Sequence, residues 1–308
     1  MILTVTLNAS IDKLYLMDSI RPETVMRVRE VRNTPGGKGL NVSRVAKKLG
    51  ASVTAMGFTG GFNGQYLESM LTASGVTPRF THVKAETRSC INCWDLSASR
   101  STEYLEPGAP VTGGDVERFT ADFRAALPQA KAVTISGSVP GGVPKDIYAR
   151  LIQMCREADT PVLLDTSGAL LTAGAEAGPT LIKPNEDEIG ALLGETGETD
   201  RLNALRKLNE SGIPYVVLSL GAEGAILADG GRLYHGRPPR ITVKNTVGCG
   251  DSMLAGFAYG ISLGLPMLES FRIALAVSAA SAMCLLTGDF EEEDYRRILP
   301  EVGIEELK

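Results

Sequence analysis

A glycine-rich turn with the sequence VGCGDS, at residues 247–252, places an aspartate directly before an apolar helical pattern. A turn that opens a helix leaves several backbone N–H groups without acceptors, at the end where the helix dipole favours negative charge. Such a turn suits a phosphate. Asp251 could take a proton from a hydroxyl that attacks phosphorus, while the N–H groups stabilise the transferring group. The competing interpretation is an aspartate that caps the helix.

A second glycine-rich turn, PGGKGLNV at residues 35–42, also stands at a helix start. It lacks the spacing of a Walker A loop. Its glycines would let an anionic ligand approach the backbone, and Lys38 and Asn41 would supply charge and hydrogen bonds. A flexible turn before an amphipathic helix is the alternative.

Asp12 follows the first predicted strand in the stretch NASID, where a dinucleotide-binding fold would need GxGxxG. The missing glycines argue against a nicotinamide oxidoreductase. A carboxylate at this edge of a sheet can accept hydrogen bonds from two neighbouring sugar hydroxyls. An aspartate that caps a turn explains the same residue.

Two further stretches follow predicted strands. In KPNEDE, at residues 183–188, Asn185 and Glu188 can share a helix face and hold waters of a Mg²⁺ ion. A helix cap by Asn185 is the competing explanation. The bend SLGAEGA, at residues 219–225, could cover nucleotide phosphates, but by itself it predicts only a hairpin.

The elements that must position these residues alternate along the chain. Strands are predicted at residues 2–7, 53–58, 132–135, 162–164, 180–182 and 215–218. Helices are predicted at residues 40–49, 66–73, 116–126, 146–158, 186–193 and 201–210. This alternation predicts an α/β fold with a mostly parallel sheet covered by helices on both faces.

Two stretches without helices, residues 13–34 and 88–105, interrupt this pattern and alternate polar and apolar residues at strand period. They are expected to pair into a small β-sheet lid over the site, inserted in a single domain spanning residues 1–308. After Asp251 the chain reads as helices, and the small, apolar run at residues 271–286 is expected to be buried.

Composition excludes several classes of protein. The 308 residues are 44% hydrophobic and carry a net charge of −5 without a basic run, which argues against a nucleic-acid partner. No window reaches transmembrane length, so a cytoplasmic protein is expected. Five cysteines do not suggest a disulfide framework, and two isolated histidines offer little for a metal site.

Taken in order, the motifs resemble the ribokinase-like carbohydrate kinases, the pfkB family. The resemblance covers essentially the whole chain and is carried by Asn8 with Asp12, GGKGLNVSR at 36–44, Thr87-Arg88, SGSVP at 136–140, KPNEDE, SLGAEGA and VGCGDS. It is greatest for the phosphosugar branch that contains 1-phosphofructokinase and tagatose-6-phosphate kinase. Departures from the family pattern are Ala9 in place of proline, Asn63 in place of aspartate and Cys249 within the last motif.

The resemblance implies a Rossmann-like (ribokinase-like) core and a β-lid that serves as a dimer contact. It assigns Asp251 as catalytic base and the backbone of Gly248, Cys249 and Gly250 as the anion hole. It places the sugar phosphate at Asp12, Arg27, Gly37, Lys38, Asn41, Arg88 and Ser138. It places ATP at Lys183, Asn185, Ser219, Gly221 and Gly224, with Glu188 organising Mg²⁺ through water.

The expected activity is therefore ATP- and Mg²⁺-dependent phosphorylation of a ketohexose monophosphate. Fructose 1-phosphate is the first expected substrate, and tagatose 6-phosphate is the nearest alternative. A kinase for another sugar and a catalytically silent sugar-phosphate-binding regulator are the remaining alternatives. An intact Asp251 within an uninterrupted VGCGD motif argues against the regulator.

Overall fold

The computed structural model describes residues 1–193 and 200–307. Its strands, in chain order, are β1 (Ile2–Thr6), β2 (Ser10–Met17), β3 (Glu30–Gly36), β4 (Val53–Thr59), β5 (Thr77–Pro78), β6 (Thr81–His82), β7 (Arg88–Asp95), β8 (Arg100–Leu105), β9 (Ala132–Ser136), β10 (Val162–Asp165), β11 (Leu181–Ile182), β12 (Tyr215–Ser219), β13 (Ala225–Asp229), β14 (Arg232–Arg237) and β15 (Gly303–Leu307).

The helices lie between and after these strands. They are α1 (Lys38–Lys48), α2 (Gly61–Ala73), α3 (Gly113–Ala126), α4 (Ile147–Glu157), α5 (Gly168–Glu176), α6 (Glu186–Leu193), α7 (Arg201–Glu210), α8 (Cys249–Ser262), α9 (Met267–Ala282) and α10 (Glu292–Ile298). Among the described residues, no helix combines the length and apolar character that a membrane crossing requires.

The large sheet has the strand order β15-β14-β13-β12-β11-β10-β9-β1-β4-β5, with β6 paired to β4. Pairing is parallel from β12 through β4 and antiparallel from β12 to β15. The predicted α/β class is confirmed. Because the central strands are parallel, their carboxyl ends meet at one edge, where ligands bind in folds of this type.

Side chains of the central strands alternate between two apolar cores. Ile2 packs into one core, whereas Leu3 and Val5 pack into the other. Both cores are covered by helices, so the central strands have no face toward solvent. This is why these strands read in the sequence as short continuous apolar runs.

The two stretches predicted to form a small sheet do so. Strand order is β3-β2-β7-β8, with β2 and β7 parallel and the outer pairs antiparallel. β2 begins at Ser10 and β3 ends at Gly36, so the small sheet extends further toward the large sheet than residues 13–34.

Helices α8 and α9 approach each other very closely. A Cβ added to Gly256 would lie 2.5 Å from Cα of Ala274, and one added to Gly260 would lie 2.3 Å from Oγ of Ser270. Phe257 stacks on Phe271 with ring centroids 5.8 Å apart. This contact explains the small, apolar run in α9, most of which is buried as expected, and it anchors the helix that carries Asp251.

The chain end differs from the prediction of helices after Asp251. Residues 303–307 form β15, which pairs antiparallel with β14 at the edge of the large sheet. The segment GIEEL is short and mostly exposed, so its conformation comes from a partner strand far along the chain rather than from its own pattern. Helix α5 was also missed by the sequence reasoning.

Candidate active site

A cavity of about 570 Å³ lies between the carboxyl edge of the large sheet and the inner face of the small sheet. Ten of the predicted site residues line it, and they come from both sheets and from the starts of α1 and α8. They are Asp12, Gly37, Lys38, Asn41, Arg88, Ser138, Lys183, Gly248, Gly250 and Asp251. The fold thus brings together residues that are scattered over most of the sequence.

Asp251 lies in the first turn of α8 and is only 5% exposed. Its Oδ2 accepts a hydrogen bond of 2.8 Å from Nδ2 of Asn41. No side chain caps this helix, whose N-cap is Gly248, so the interpretation of Asp251 as a helix cap is wrong. Its carboxylate is held by another side chain at the wall of the cavity.

Burial and, after it, the negative charge of Asp165 raise the pKa of Asp251 to about 7, against the hydrogen bond from Asn41 and the charges of Lys38 and Lys183. A carboxyl group that titrates near neutral pH is suited to accepting a proton at the working pH. This combination of burial and opposed charges is typical of catalytic acids and bases.

The glycine turn before Asp251 has a backbone conformation and a close contact that favour glycine at position 248. Gly248 has a φ of 82°, and a Cβ there would lie 2.6 Å from Cγ2 of Thr287. Cys249 is the first residue of α8, and the structure does not place its side chain among those lining the cavity. Burial and the charge of Asp251 raise the pKa of the Cys249 thiol to about 11, so the thiol is protonated at neutral pH.

Asp165 is a site residue that the sequence reasoning missed. It is 2% exposed, and its two carboxylate oxygens lie 3.1 Å from Nζ of Lys38 and 3.2 Å from Nζ of Lys183. Burial opposes its ionisation, but the two lysines outweigh burial and lower the pKa of Asp165. The available signal was an aspartate that ends the apolar strand VLLD at the carboxyl edge of the sheet.

Lys38 and Lys183 therefore share one buried carboxylate. Lys38 is the first residue of α1, and Lys183 follows β11. Burial disfavours the charge of Lys38, but Asp165 and Asp251 outweigh it and raise the Lys38 pKa. Two ammonium groups held beside Asp251 form a cationic wall that suits the phosphates of a nucleotide or a sugar phosphate.

Asp12 lies inside β2 of the small sheet rather than in a turn, so the turn-capping interpretation is wrong. Ser10 Oγ donates a hydrogen bond of 2.7 Å to Oδ1 of Asp12. A Cβ on Gly36 would lie 1.9 Å from the same oxygen, so glycine at this position makes room for the carboxylate. Burial raises the pKa of Asp12.

Arg88 fixes the segments around the other end of the cavity. Its guanidinium donates to the carbonyl of Asn8 at 2.9 and 3.2 Å and to the carbonyl of Glu106 at 2.7 Å. The Asn8 amide in turn donates to Oγ of Ser138 at 3.2 Å. Arg88 and Ser138, both predicted near the substrate phosphate, are therefore linked through one residue.

Seven predicted site residues do not line the cavity. Cys249 is one of these, and Arg27 is exposed in the loop between β2 and β3. The others lie at or after the carboxyl ends of β11 and β12, along the same sheet edge: Asn185, Glu188, Ser219, Gly221 and Gly224. Their assignment to ATP and Mg²⁺ stays a prediction, as does that of Arg27 to the substrate phosphate.

The predicted cap by Asn185 is present. Asn185 Oδ1 accepts from the Glu188 N–H at 2.8 Å, and Glu188 Oε2 accepts from the Asn185 N–H at 3.0 Å. This reciprocal pair is a capping box at the start of α6. The contact uses one carboxylate oxygen of Glu188. Across residues 1–193 and 200–307, no three side chains of His, Cys, Asp or Glu cluster as a metal site.

Comparison with known proteins gives a consistent result. The sequence profile of the pfkB family carbohydrate kinases matches residues 5–294. A candidate phosphofructokinase from Staphylococcus aureus is 32% identical, with a TM-score of 0.86 over 100% of this chain and 99% of that one. A candidate 1-phosphofructokinase from Thermotoga maritima is 27% identical, with a TM-score of 0.86 over the same shares of the two chains.

Phosphofructokinase-2 from Escherichia coli, in a complex with potassium, is 27% identical. Its TM-score is 0.90 over 97% of this chain and 98% of that one. These chains match this one over nearly their whole lengths, so the likeness includes the small sheet as well as the large one.

Proposed function

This chain belongs to the pfkB family of carbohydrate kinases and is a phosphofructokinase-type sugar kinase, and on that premise we propose that it converts a ketohexose monophosphate to the bisphosphate. ATP is the phosphoryl donor that the family implies. Fructose 1-phosphate is the first proposed substrate.

The observation that carries the proposal is the surroundings of Asp251. A buried carboxyl group with a pKa of about 7 lies in the first turn of a helix with a glycine-rich start, and the charges of Lys38 and Lys183 act on it. A base, backbone donors and cations at one place are what phosphoryl transfer to a hydroxyl requires. A sugar-phosphate-binding regulator would have no use for a carboxyl group tuned in this way.

In the proposed mechanism, the free oxygen of Asp251 accepts the proton of the attacking hydroxyl. The N–H groups of Gly248, Cys249 and Gly250 would stabilise the charge that develops on the transferring group. The N–H of Cys249 donates to the carbonyl of Thr246 at 3.3 Å and would have to leave that contact to take part. Lys38 and Lys183 add positive charge there. Asp12 and Asn41 orient the sugar, and the small sheet covers the cavity and limits access of water, which would otherwise hydrolyse ATP.

Asn185, Ser219, Gly221 and Gly224 are proposed to hold ATP beyond Lys183. Glu188 would hold Mg²⁺ through water, because its capping contact engages only one carboxylate oxygen. The bound ion would neutralise charge on the phosphate oxygens. Retained water is consistent with the hydration that Mg²⁺ prefers.

Three substrates compete under this proposal. The small-sheet stretch ETRSCIN resembles the tagatose-type pattern, which supports tagatose 6-phosphate, whereas likeness to the candidate 1-phosphofructokinase from T. maritima supports fructose 1-phosphate. Phosphofructokinase-2 from E. coli has been solved with fructose 6-phosphate, at 25% identity to this chain, which adds that sugar to the list.

ADP release with MgATP against these three sugar phosphates and free fructose tests the proposal. Sugar-phosphate-dependent turnover that collapses in Asp251→Asn is the expected result, and the ratio of kcat/KM values ranks the substrates. ATP binding without turnover on any of them would contradict the proposed substrates and favour either another sugar or the regulator.

We also propose a cytoplasmic homodimer joined through the small sheet. Val31 on β3 and Tyr104 on β8 are 51% and 62% exposed, which is high for large apolar and aromatic side chains. Light scattering of the wild type and of Val31→Ser/Tyr104→Ser tests the dimer. A wild-type mass of one chain at micromolar concentration would overturn this proposal.

A further inference from the structure

Arg44 ends the motif GGKGLNVSR, yet none of the roles proposed above uses it. It lies in α1, three residues after Asn41 and therefore on the same helix face. Its Nη2 donates to Oδ1 of Asn41 at 2.7 Å and to the carbonyl of Thr287 at 2.8 Å. Arg44 thus connects the residue that holds Asp251 to Thr287, which also lines the cavity.

The chemistry of these groups fixes the direction of the hydrogen bonds. A guanidinium has donors and no acceptor, so the side of the Asn41 amide that meets Arg44 must be its oxygen. The NH₂ group of Asn41 must then face Asp251, which it does at 2.8 Å. A rotated amide would place two oxygens in contact and leave the guanidinium against an NH₂ group.

We propose that Arg44 is a positioning residue whose guanidinium orients the Asn41 amide, so that Asn41 donates to one oxygen of Asp251 and leaves the other free to accept the substrate proton. The inference rests on the proposed function only for its kinetic consequence. The chain of contacts from Arg44 through Asn41 to Asp251 is independent of which sugar is bound.

The charges around Asp251 decide the expected direction of change. Asn41, Lys38 and Arg44 face it from α1, Lys183 from the end of β11, Asp165 from β10, and Cys249 from its own helix. Arg44 and the donated hydrogen bond both favour the ionised carboxylate. Removing Arg44 loses its charge and frees the amide to rotate, so both effects raise the pH at which Asp251 loses its proton.

Gly288 provides a second way to disturb the contact without touching Arg44. Its φ is 64°, and a Cβ there would lie 2.8 Å from Oδ1 of Asn41 and 2.9 Å from Nη2 of Arg44. One methyl group at this point would push the amide and the guanidinium apart. Gly288→Ala should therefore have an effect of the same sign as loss of Arg44, and a smaller one.

The direct test is a pH titration of the Asp251 carboxyl by NMR of protein with ¹³C-labelled aspartate, assigned with Asp251→Asn. We expect the midpoint to rise by about one pH unit in Arg44→Met, a tenfold change in proton affinity. The matched control is Lys48→Met, which removes a cation from the same helix, where it pairs with Asp289 and does not contact Asn41. An unchanged midpoint in folded Arg44→Met would overturn the inference.

The kinetic test is a double-mutant cycle. If Arg44 acts through Asn41, Arg44→Met should lower kcat by about tenfold in the wild type and by less than about twofold in Asn41→Ala. Multiplicative losses would show a general structural role and contradict the inference. If circular dichroism shows that Arg44→Met does not fold, the pH titration and the double-mutant cycle are done with Arg44→Lys and Gly288→Ala instead.

The two proposals fail in different ways. An inactive wild type with a midpoint that still responds to Arg44 would contradict the kinase proposal and support the role of Arg44. An active wild type whose pH profile and Asp251 midpoint do not change in Arg44→Met would support the kinase proposal and contradict the role of Arg44.

Discussion

The two sides of the cavity, here called the floor and the roof, differ in burial and in charge. The floor, formed by the carboxyl edge of the large sheet and the starts of α1 and α8, holds Asp165, Lys183 and Asp251, each no more than 6% exposed. The roof is the small sheet, in which every residue of β8 is exposed. The floor is dense and charged, whereas the roof is thin and half open to water.

This difference matches two proposed tasks, catalysis in the floor and covering of the substrate by the roof. Charges interact more strongly in a buried, packed floor, which is where the groups proposed for proton transfer and charge stabilisation lie. A sheet with few buried contacts can move at low cost, which suits a part that must admit and then cover a substrate. We therefore expect floor substitutions to act mainly on kcat and roof substitutions mainly on the sugar KM.

The largest effect is expected from the floor, in Asp251→Asn. The variant keeps the shape of the side chain but cannot accept the proton, so kcat should fall by about a thousandfold or more. ADP release measures the loss, and calorimetric titration with ATP serves as the control for an intact site. Residual activity within tenfold of wild type would mean that another group is the base.

Asp165→Asn should lower kcat by about 100-fold, because Lys38 and Lys183 lose the carboxylate that holds both of them. The pH dependence of the residual activity should change as well. Wild-type kcat should fall as pH drops below about 7, where Asp251 gains a proton. Removing the negative charge of Asp165 lowers the Asp251 pKa, so the midpoint should move to lower pH.

That shift has the opposite sign to the one expected for Arg44→Met, which makes the pair of profiles a test of the floor as a set of opposed charges. Rescue of Asp165→Asn by excess Mg²⁺, with no change in the profile, would instead indicate that Asp165 acts through the metal.

Gly36→Ala lies where the roof meets the floor, and a methyl group there would collide with the Asp12 carboxylate. Displacement of Asp12 should raise the sugar-phosphate KM by about 10- to 100-fold and leave the ATP KM within about twofold. Gly113→Ala is the matched control, since a Cβ at Gly113 meets nothing within 4 Å. Equal rises in both KM values would show that the junction supports the whole site.

Arg88→Lys changes the first residue of β7, a roof strand. Lysine keeps the charge but cannot contact the carbonyls of Asn8 and Glu106 together. We expect the sugar-phosphate KM to rise by about tenfold, with a small change in kcat. A loss confined to kcat would break the division between roof and floor.

The smallest effect is expected at Cys249. Its proposed role uses only the backbone N–H, so Cys249→Ala should change kcat by less than about twofold. Because the thiol has a pKa of about 11, modification by iodoacetamide at neutral pH should also be slow. Rapid inactivation of the wild type, absent in Cys249→Ala, would contradict this.

Much of the fold followed from local patterns. The six predicted strands end within one or two residues of β1, β4, β9, β10, β11 and β12, because short apolar runs bounded by turn residues encode buried strands. β15 could not be predicted in this way, since its strand conformation depends on pairing with β14. The site could not be fully predicted for the same reason. Asp165 belongs to no recognised motif, and its place in the site depends on ion pairs with two lysines on other elements.

The sequence by itself determined the α/β class, the small sheet, the family and the glycine turns around Lys38 and Asp251, since periodicity and turn chemistry act over a few neighbouring residues. Only the tertiary structure decided that Asp251 is not a cap, that Asp165 bridges two lysines and that Arg44 orients Asn41. These relations join residues as far apart as Asn41 and Asp251, which are 210 positions apart. Charge and hydrogen bonding depend on distance in space, and folding alone sets that distance.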